Sequence, residues 1–168
     1  VVATSCQKDE DINDPKDVNR SAVDNAKAEN SFADLFKQAS DGMMQASETV
    51  TGNRAMYSSL SGTATLTIDP YDMTTFPKTV TLDFGSTNVL CNDGNYRRGK
   101  IVMVATGWYH DSLSVITVTP DSYYVNDNLV EGLESFTCNG HNAAGHMNHD
   151  VYIDGTVTGI DGSMISYH

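Results

Sequence analysis

Two stretches decide the fold of this chain: residues 63–68, Thr63-Ala64-Thr65-Leu66-Thr67-Ile68, and residues 79–84, Thr79-Val80-Thr81-Leu82-Asp83-Phe84. In both, polar and apolar residues alternate with a period of two. This period places the apolar side chains on one face of a β-strand and the polar ones on the other. One buried and one solvated face is typical of strands in antiparallel sheets. The two stretches therefore predict an antiparallel β domain.

Further short strands are predicted along the rest of the chain. Residues 99–106 are apolar on both faces and suit a central strand. Other strands are expected at residues 114–119, 123–126, 129–137, 150–158 and 163–167, with Pro120-Asp121 as a turn between the first two. Repeated short strands separated by Gly, Asn and Asp indicate a β-sandwich or an open barrel over residues 51–168. Because the last predicted strand stops without a turn or tail, we expect the natural chain to continue past His168.

A helical period precedes the strands. Ser21, with Asp24 three residues later, has the pattern of a helix N-terminus. Apolar residues then recur at spacings of three and four, at Ala28, Phe32, Leu35, Phe36, Ala39 and Met43. This stripe predicts one amphipathic helix, or two short ones, over residues 21–50, packed on the β domain through Phe32, Leu35 and Phe36. Residues 7–20 contain too few apolar residues to bury and are interpreted as a tether.

Composition limits the classes of partner. The 168 residues suit one domain, and 22 acidic against 10 basic residues give a net charge of -12. Nucleic acid is excluded as an expected partner, because phosphate binding needs a basic face. No stretch approaches the roughly 18 apolar residues of a transmembrane helix, so membrane contact would require an anchor.

The first residues resemble the processing signal of bacterial lipoproteins. Small residues lead to Ser5-Cys6, and Cys6 is followed by Gln7, Lys8, Asp9 and Glu10. The cysteine with this charged run resembles the export signal of Bacteroidetes surface lipoproteins. The resemblance implies that residues 1–5 are the end of a signal peptide, that residues 6–20 are a tether lipidated at Cys6, and that the protein lies at the cell surface on the outer membrane. The alternative is a free cysteine in a disordered acidic tail.

Residues 62–165 resemble a group of Bacteroidetes outer-membrane lipoproteins of unassigned function. The resemblance is carried by Leu82-Asp83-Phe84-Gly85, Cys91-Asn92-Asp93-Gly94, Arg97-Arg98-Gly99-Lys100-Ile101, Tyr124-Val125-Asn126-Asp127 and Val130-Glu131-Gly132. These motifs are those of turns and strand ends. The resemblance supports the location and the β class, and it implies no reaction.

Two cysteines remain besides Cys6. Cys91 and Cys138 lie in turn-rich segments, 47 residues apart. In an extracellular compartment an even pair predicts a disulfide. Two separate buried thiols are the alternative, because the sequence does not place their Cα atoms.

Three histidines form the most conspicuous polar cluster: His141, His146 and His149, followed by Asp150. Imidazoles and a carboxylate are ligands of zinc-class ions. Their spacing does not match one face of a helix, and Gly140 and Gly145 indicate a loop. The prediction is therefore an exposed polar loop with no metal and no cofactor, and a metal site at these histidines is the alternative.

Aromatic residues provide the second cluster. Trp108 and Tyr109 follow the strongest predicted strand, and Tyr123 lies in a later strand. Aromatic faces flanked by Asp and Asn are suited to stacking on sugars, so these three residues are candidates for binding a glycan. The alternative is packing, since aromatic residues favour strands.

The function predicted from these features is that of a surface-anchored lipoprotein. It would act as a binding or assembly component of an outer-membrane complex or nutrient-uptake system, with an outer-membrane protein as partner. No catalytic residue is predicted, because the chain has no Gly-x-Ser-x-Gly motif and its cysteines lack a basic context. The alternative is a small extracellular hydrolase such as a glycosidase, whose paired carboxylates leave no sequence motif.

Overall fold

The computed structural model describes residues 15–52 and 64–168, with side chains of the first segment described from Ser21 onward. One helix precedes eight strands: α1 (Pro15–Thr51), β1 (Thr65–Asp69), β2 (Lys78–Asp83), β3 (Val89–Leu90), β4 (Tyr96–Ala105), β5 (Val115–Val125), β6 (Asn128–His141), β7 (Met147–Thr158) and β8 (Met164–Tyr167). The predicted lipidation site Cys6 and the predicted export signal Gln7, Lys8, Asp9 and Glu10 lie outside the described residues.

All eight strands belong to one sheet. Its order is β1-β2-β4-β5-β6-β7-β8, β3 pairs with β4, and every pairing is antiparallel. The prediction of a mainly β, antiparallel domain preceded by an amphipathic helix is confirmed, and the single sheet is consistent with the predicted open barrel. The period of two is visible in β2, where Val80 and Leu82 are buried and Thr79 and Thr81 are half-buried.

The structure differs from the sequence prediction at two element boundaries. The helix is a single element that begins at Pro15 rather than Ser21, so residues 15–20 of the predicted tether are helical. Proline is tolerated in the first helical turn, where its missing N–H has no helical partner to lose. The predicted turn at Pro120-Asp121 is wrong, because both residues pair with β4 inside the continuous strand β5. The ladder between β5 and β6 is interrupted between Val118 and Tyr123, which accommodates the proline.

The helix crosses the buried face of the sheet. At the middle of the helix, Phe32 stacks on Tyr167 of β8, with ring centroids 5.6 Å apart, and it lies against Gly155 of β7. Further along, Gly42 lies against Leu82 of β2 and Met103 of β4. Phe32 and Leu35 are buried as predicted, and Phe36 is partly buried against the core. The predicted core positions Ile68, Val80, Leu82, Phe84, Ile101 and Met103 are buried, and Leu66 is partly buried. No helix in residues 15–52 or 64–168 combines the length and apolarity needed to span a membrane.

A buried ionic cluster joins the helix to the sheet. The Arg97 guanidinium on β4 is fully buried and donates to Asp34 of α1 and to Asp93 of the β3–β4 turn. The Tyr123 hydroxyl donates to the same Asp34 carboxylate, with an O···O distance of 2.8 Å. Burial alone would lower the pKa of Arg97, but the two carboxylates outweigh it and raise that pKa. The cation is therefore held charged inside the domain.

Glu134 on β6 has a buried carboxyl group that no described side chain or backbone group contacts through a hydrogen bond. Its side chain is 0% exposed, and neither oxygen has a hydrogen-bond partner among the described residues. Its neighbours in register are the apolar Val118 and Ile153. Burial raises the pKa of Glu134 from 4.5 to about 8, so the carboxyl is mostly neutral at neutral pH.

The Arg97 cluster predicts unequal effects for two substitutions. Asp34→Ala removes a charged partner of a buried guanidinium and should lower the free energy of unfolding by about 3 kcal/mol. Tyr123→Phe removes one neutral donor and should cost about 1 kcal/mol. Urea denaturation of both variants measures this difference, and equal losses would contradict a buried ion pair between Asp34 and Arg97.

Glu134 predicts a pH dependence of stability. Because its pKa is higher in the folded than in the unfolded state, the folded protein binds the proton more tightly, and its stability falls as pH rises between about 4.5 and 8. Glu134→Gln should remove this slope and be more stable than wild type by a few kcal/mol at the alkaline end. Denaturation at several pH values tests this; parallel curves for both proteins would show that Glu134 is not the titrating group.

Candidate functional site

A cleft of about 280 Å³ lies between the last turns of α1 and the loop that connects β4 to β5. Its lining residues come from both elements and define the Trp108 cleft: Met44, Ser47, Glu48, Trp108, Tyr109, His110 and Asp111. Residues 44, 47 and 48 lie three and four positions apart and so share one helix face. The cleft thus brings together two of the three predicted ligand-binding residues, Trp108 and Tyr109.

Trp108 is half-buried and held on several sides. Its indole Nε1 donates to the carbonyl oxygen of Met73 at 3.1 Å, and its ring meets Phe76 edge to face, with centroids 5.4 Å apart. The ammonium of the buried Lys78 lies 5.3 Å from the ring centroid. The backbone N–H of Trp108 donates to the Asp111 carboxylate at 2.8 Å. These contacts fix the ring while leaving part of it exposed.

Tyr109 is supported from below by a buried aromatic group. Its ring centroid lies 4.8 Å from that of His149 and 5.9 Å from that of Phe136. Burial lowers the pKa of His149, which favours its neutral form beneath Tyr109. Tyr109 therefore presents a supported aromatic ring to the cleft.

The carboxylates of the Trp108 cleft differ in their bonding. Asp111 accepts the Trp108 N–H, whereas Glu48 makes no side-chain hydrogen bond or ion pair with the described residues. A half-buried carboxylate beside aromatic rings is available to a ligand. Sequence reasoning missed Glu48, although its spacing from Met44 and Ser47 on the helix was the available signal.

The prediction that Tyr123 binds a ligand is wrong. Its side chain is 0% exposed, and its hydroxyl is bonded to Asp34 inside the core. Burial is the main cause that raises the pKa of Tyr123, and the Asp34 carboxylate adds to it. The aromatic residue belongs to the Arg97 cluster and cannot contact a ligand.

The predicted histidine cluster is not brought together. His149 packs against Tyr109 and Phe136, whereas His141 and His146 are exposed in the β6–β7 hairpin. Among residues 15–52 and 64–168, no three His, Cys, Asp or Glu side chains are grouped so that they could hold a metal ion.

The predicted disulfide between Cys91 and Cys138 is wrong. Both residues are buried, and Cys138 is a free thiol, so it forms no disulfide with Cys91. Cys91 lies just before the start of β4. The start of β4 pairs with the end of β5, which in turn pairs with Asn128 at the start of β6. Cys138 lies ten residues further along β6, a distance of about 30 Å. A disulfide needs Cα atoms within about 7 Å, so the fold keeps the two cysteines apart.

A larger cleft of about 640 Å³ lies between the first half of α1 and the β3–β4 and β5–β6 turns. Most of its polar groups are already bonded within the protein. Asp34 and Asp93 hold Arg97, and the Asn126 amide donates to the Asn95 side-chain oxygen at 2.8 Å. These bonds connect the helix and the turns, so the cleft has a structural explanation that the Trp108 cleft lacks.

No family model, curated protein or solved structure matches this chain.

The contacts of Trp108 predict a moderate role in stability. Trp108→Ala should lower the free energy of unfolding by about 2 kcal/mol, less than the loss expected for a fully buried tryptophan, because only part of the ring packs on Phe76 and Lys78. Trp108→Phe, which keeps an aromatic ring there, should lose less. Urea denaturation compares the three proteins; an unchanged midpoint for Trp108→Ala would show that the ring makes no stabilising contact.

Proposed function

We propose that this protein is a lipid-anchored binding protein of the cell surface and that the Trp108 cleft binds a glycan. The observation that carries the proposal is the cleft itself, in which Glu48, whose carboxylate has no partner among residues 15–52 and 64–168, lies with Trp108 and Tyr109. Ligand sites typically combine an apolar or aromatic wall with a few polar groups that fix orientation. This cleft has both.

A glycan suits the chemistry of these groups. The C–H face of a sugar ring packs on an aromatic ring, and sugar hydroxyls donate to carboxylates such as those of Glu48 and Asp111. The volume of about 280 Å³ is near the lower end of the range for ligand sites. It favours one or two sugar rings at the end of a chain.

The N-terminal sequence supports the anchor. Ser5-Cys6 and the following Gln7, Lys8, Asp9 and Glu10 provide the lipidation site and the surface-export signal of the proposal. Acyl chains on Cys6 would hold the domain at the outer membrane, since each buried CH₂ contributes about 0.8 kcal/mol. The proposed location is the outer surface of the outer membrane.

The helix supports display of the cleft away from the membrane. The side chains of residues 21–23 in α1 are exposed, and the first buried one described is Ala28. From Pro15 to Met44, which lines the cleft, the helix rises about 44 Å. A stiff spacer of this length separates the anchor from the cleft. The proposed role is capture of a glycan for an outer-membrane protein partner in an uptake or surface complex.

A glycosidase is the second candidate function. Glu48 and Asp111 line the same cleft, and glycoside hydrolysis uses two carboxylates that flank the scissile bond. This alternative differs from binding in one readout: the bound glycan would be cleaved.

Blocking the cleft should abolish glycan binding. Ser47→Arg places a long side chain in the cleft from a half-buried helix position, so retention on glycans that bind the wild type should be lost. Ser21→Arg makes the same change at an exposed helix position and should bind normally. A glycan array followed by affinity measurement and product analysis reads both binding and cleavage. The absence of any wild-type binding would contradict the proposal, and product release lost in Glu48→Gln would favour the glycosidase.

The anchor predicts two changes in cells. Cys6→Ser should abolish acylation and release the protein from membranes, which intact-mass measurement and fractionation detect. Replacing Lys8, Asp9 and Glu10 with alanine should leave the lipid in place but orient the protein to the periplasm. Protease treatment of intact cells reads the orientation; equal digestion of both forms would show that the charged run is not the export signal.

A further inference from the structure

We propose that the Trp108 cleft selects a sugar that carries a protonated amine, as in a hexosamine without its N-acetyl group. This inference rests on the proposed function, because it names the class of glycan that the cleft takes. It follows from the charges that line the cleft.

Among the residues that the structure describes, the lining of the Trp108 cleft contains acids and no lysine or arginine. Its charged carboxylates are those of Glu48 and Asp111. Lys78, whose ammonium lies 5.3 Å from the Trp108 ring centroid, is fully buried and donates to the carbonyl oxygen of Pro70 at 3.0 Å. Lys78 also pairs with Asp72 at 3.4 Å. Its charge is thus already engaged away from the two cleft carboxylates.

Glu48 is the carboxylate that remains available. One oxygen of Asp111 accepts the Trp108 N–H, whereas Glu48 has no partner among the described residues. A half-buried carboxylate without a partner gains most from a charged donor, because charge-assisted hydrogen bonds are about twice as strong as neutral ones. An ammonium supplies that donor, and a neutral acetamide supplies only a weaker N–H.

The end of the helix adds to the attraction. Glu48 lies in the last turn of α1, which contains no basic residue. The C-terminal end of a helix carries partial negative charge and favours a nearby cation. The net charge of -12 also gives the protein a negative electrostatic potential, which attracts cations.

The aromatic side chains complete a site for such a ligand. Tyr109 and Trp108 offer rings to the C–H face of the sugar, and an adjacent ammonium is attracted to an aromatic face as well as to Glu48. The supporting contacts of both rings hold them in place before the ligand arrives, which reduces the entropic cost of binding.

The test compares two sugars that differ only in the amine. Calorimetry at low salt and mildly acidic pH, at which the chitosan amines are protonated, measures the affinity of a chitosan tetramer and of its fully N-acetylated counterpart. Wild type should bind the chitosan tetramer at least about tenfold more tightly, with the difference shrinking as salt is added. Glu48→Gln should reduce the difference to about twofold or less. Glu131→Gln, at an exposed position on β6, changes the net charge equally and should behave as wild type.

The outcomes separate this inference from the proposed function. Equal affinity for both tetramers, with both lost in Ser47→Arg, would overturn the amine selectivity and leave glycan binding intact. An unchanged preference in Glu48→Gln would also overturn it. Binding of neither tetramer contradicts the inference, and the glycan array then decides separately whether the cleft binds any sugar.

Discussion

The buried guanidinium of Arg97 sets the position of the helix on the sheet. A cation inside a domain has to be compensated by nearby carboxylates, and here they come from the helix and from a turn. Asp34 and Arg97 are 63 residues apart in sequence, so their contact fixes how the helix is placed along the sheet. Glu48 lies about 20 Å further along the same stiff helix. The placement of Glu48 in the cleft lined by Trp108 therefore depends on an ion pair about 20 Å away along the helix.

The domain buries ionisable groups in two different ways. Arg97 and Lys78 are fully buried cations, and each has oxygen acceptors within hydrogen-bond distance. Glu134 is equally buried but lies among apolar neighbours, and it avoids the cost of a buried charge by keeping its proton. An acidic chain can supply partners to its few buried cations easily. Few basic residues remain to pair with a buried carboxylate in the same chain, so protonation of Glu134 costs less free energy than burial of its charged form.

Local patterns predicted the elements well because they depend on neighbours in sequence. The alternation at Val80 and Leu82 and the stripe through Phe32 and Leu35 report which face is buried, and the structure has these faces inside. Contacts between distant segments left no such pattern. The Asp34–Arg97 pair, the meeting of Glu48 with Trp108, and the burial of Tyr123 all depend on how the helix crosses the sheet. The strand through Pro120 was missed because a break in the ladder to β6 tolerates a residue that usually marks a turn.

The order of the strands also bears on how the domain is made. From β4 to β8 each strand pairs with the next in sequence, so these hairpins form from local contacts that close quickly. The helix is different, because Phe32 stacks on Tyr167 in the last strand. The helix is synthesised early, but β8 is synthesised last. The apolar stripe of the helix therefore stays exposed until the last strand is available. During synthesis this stripe is the surface that a chaperone would have to shield.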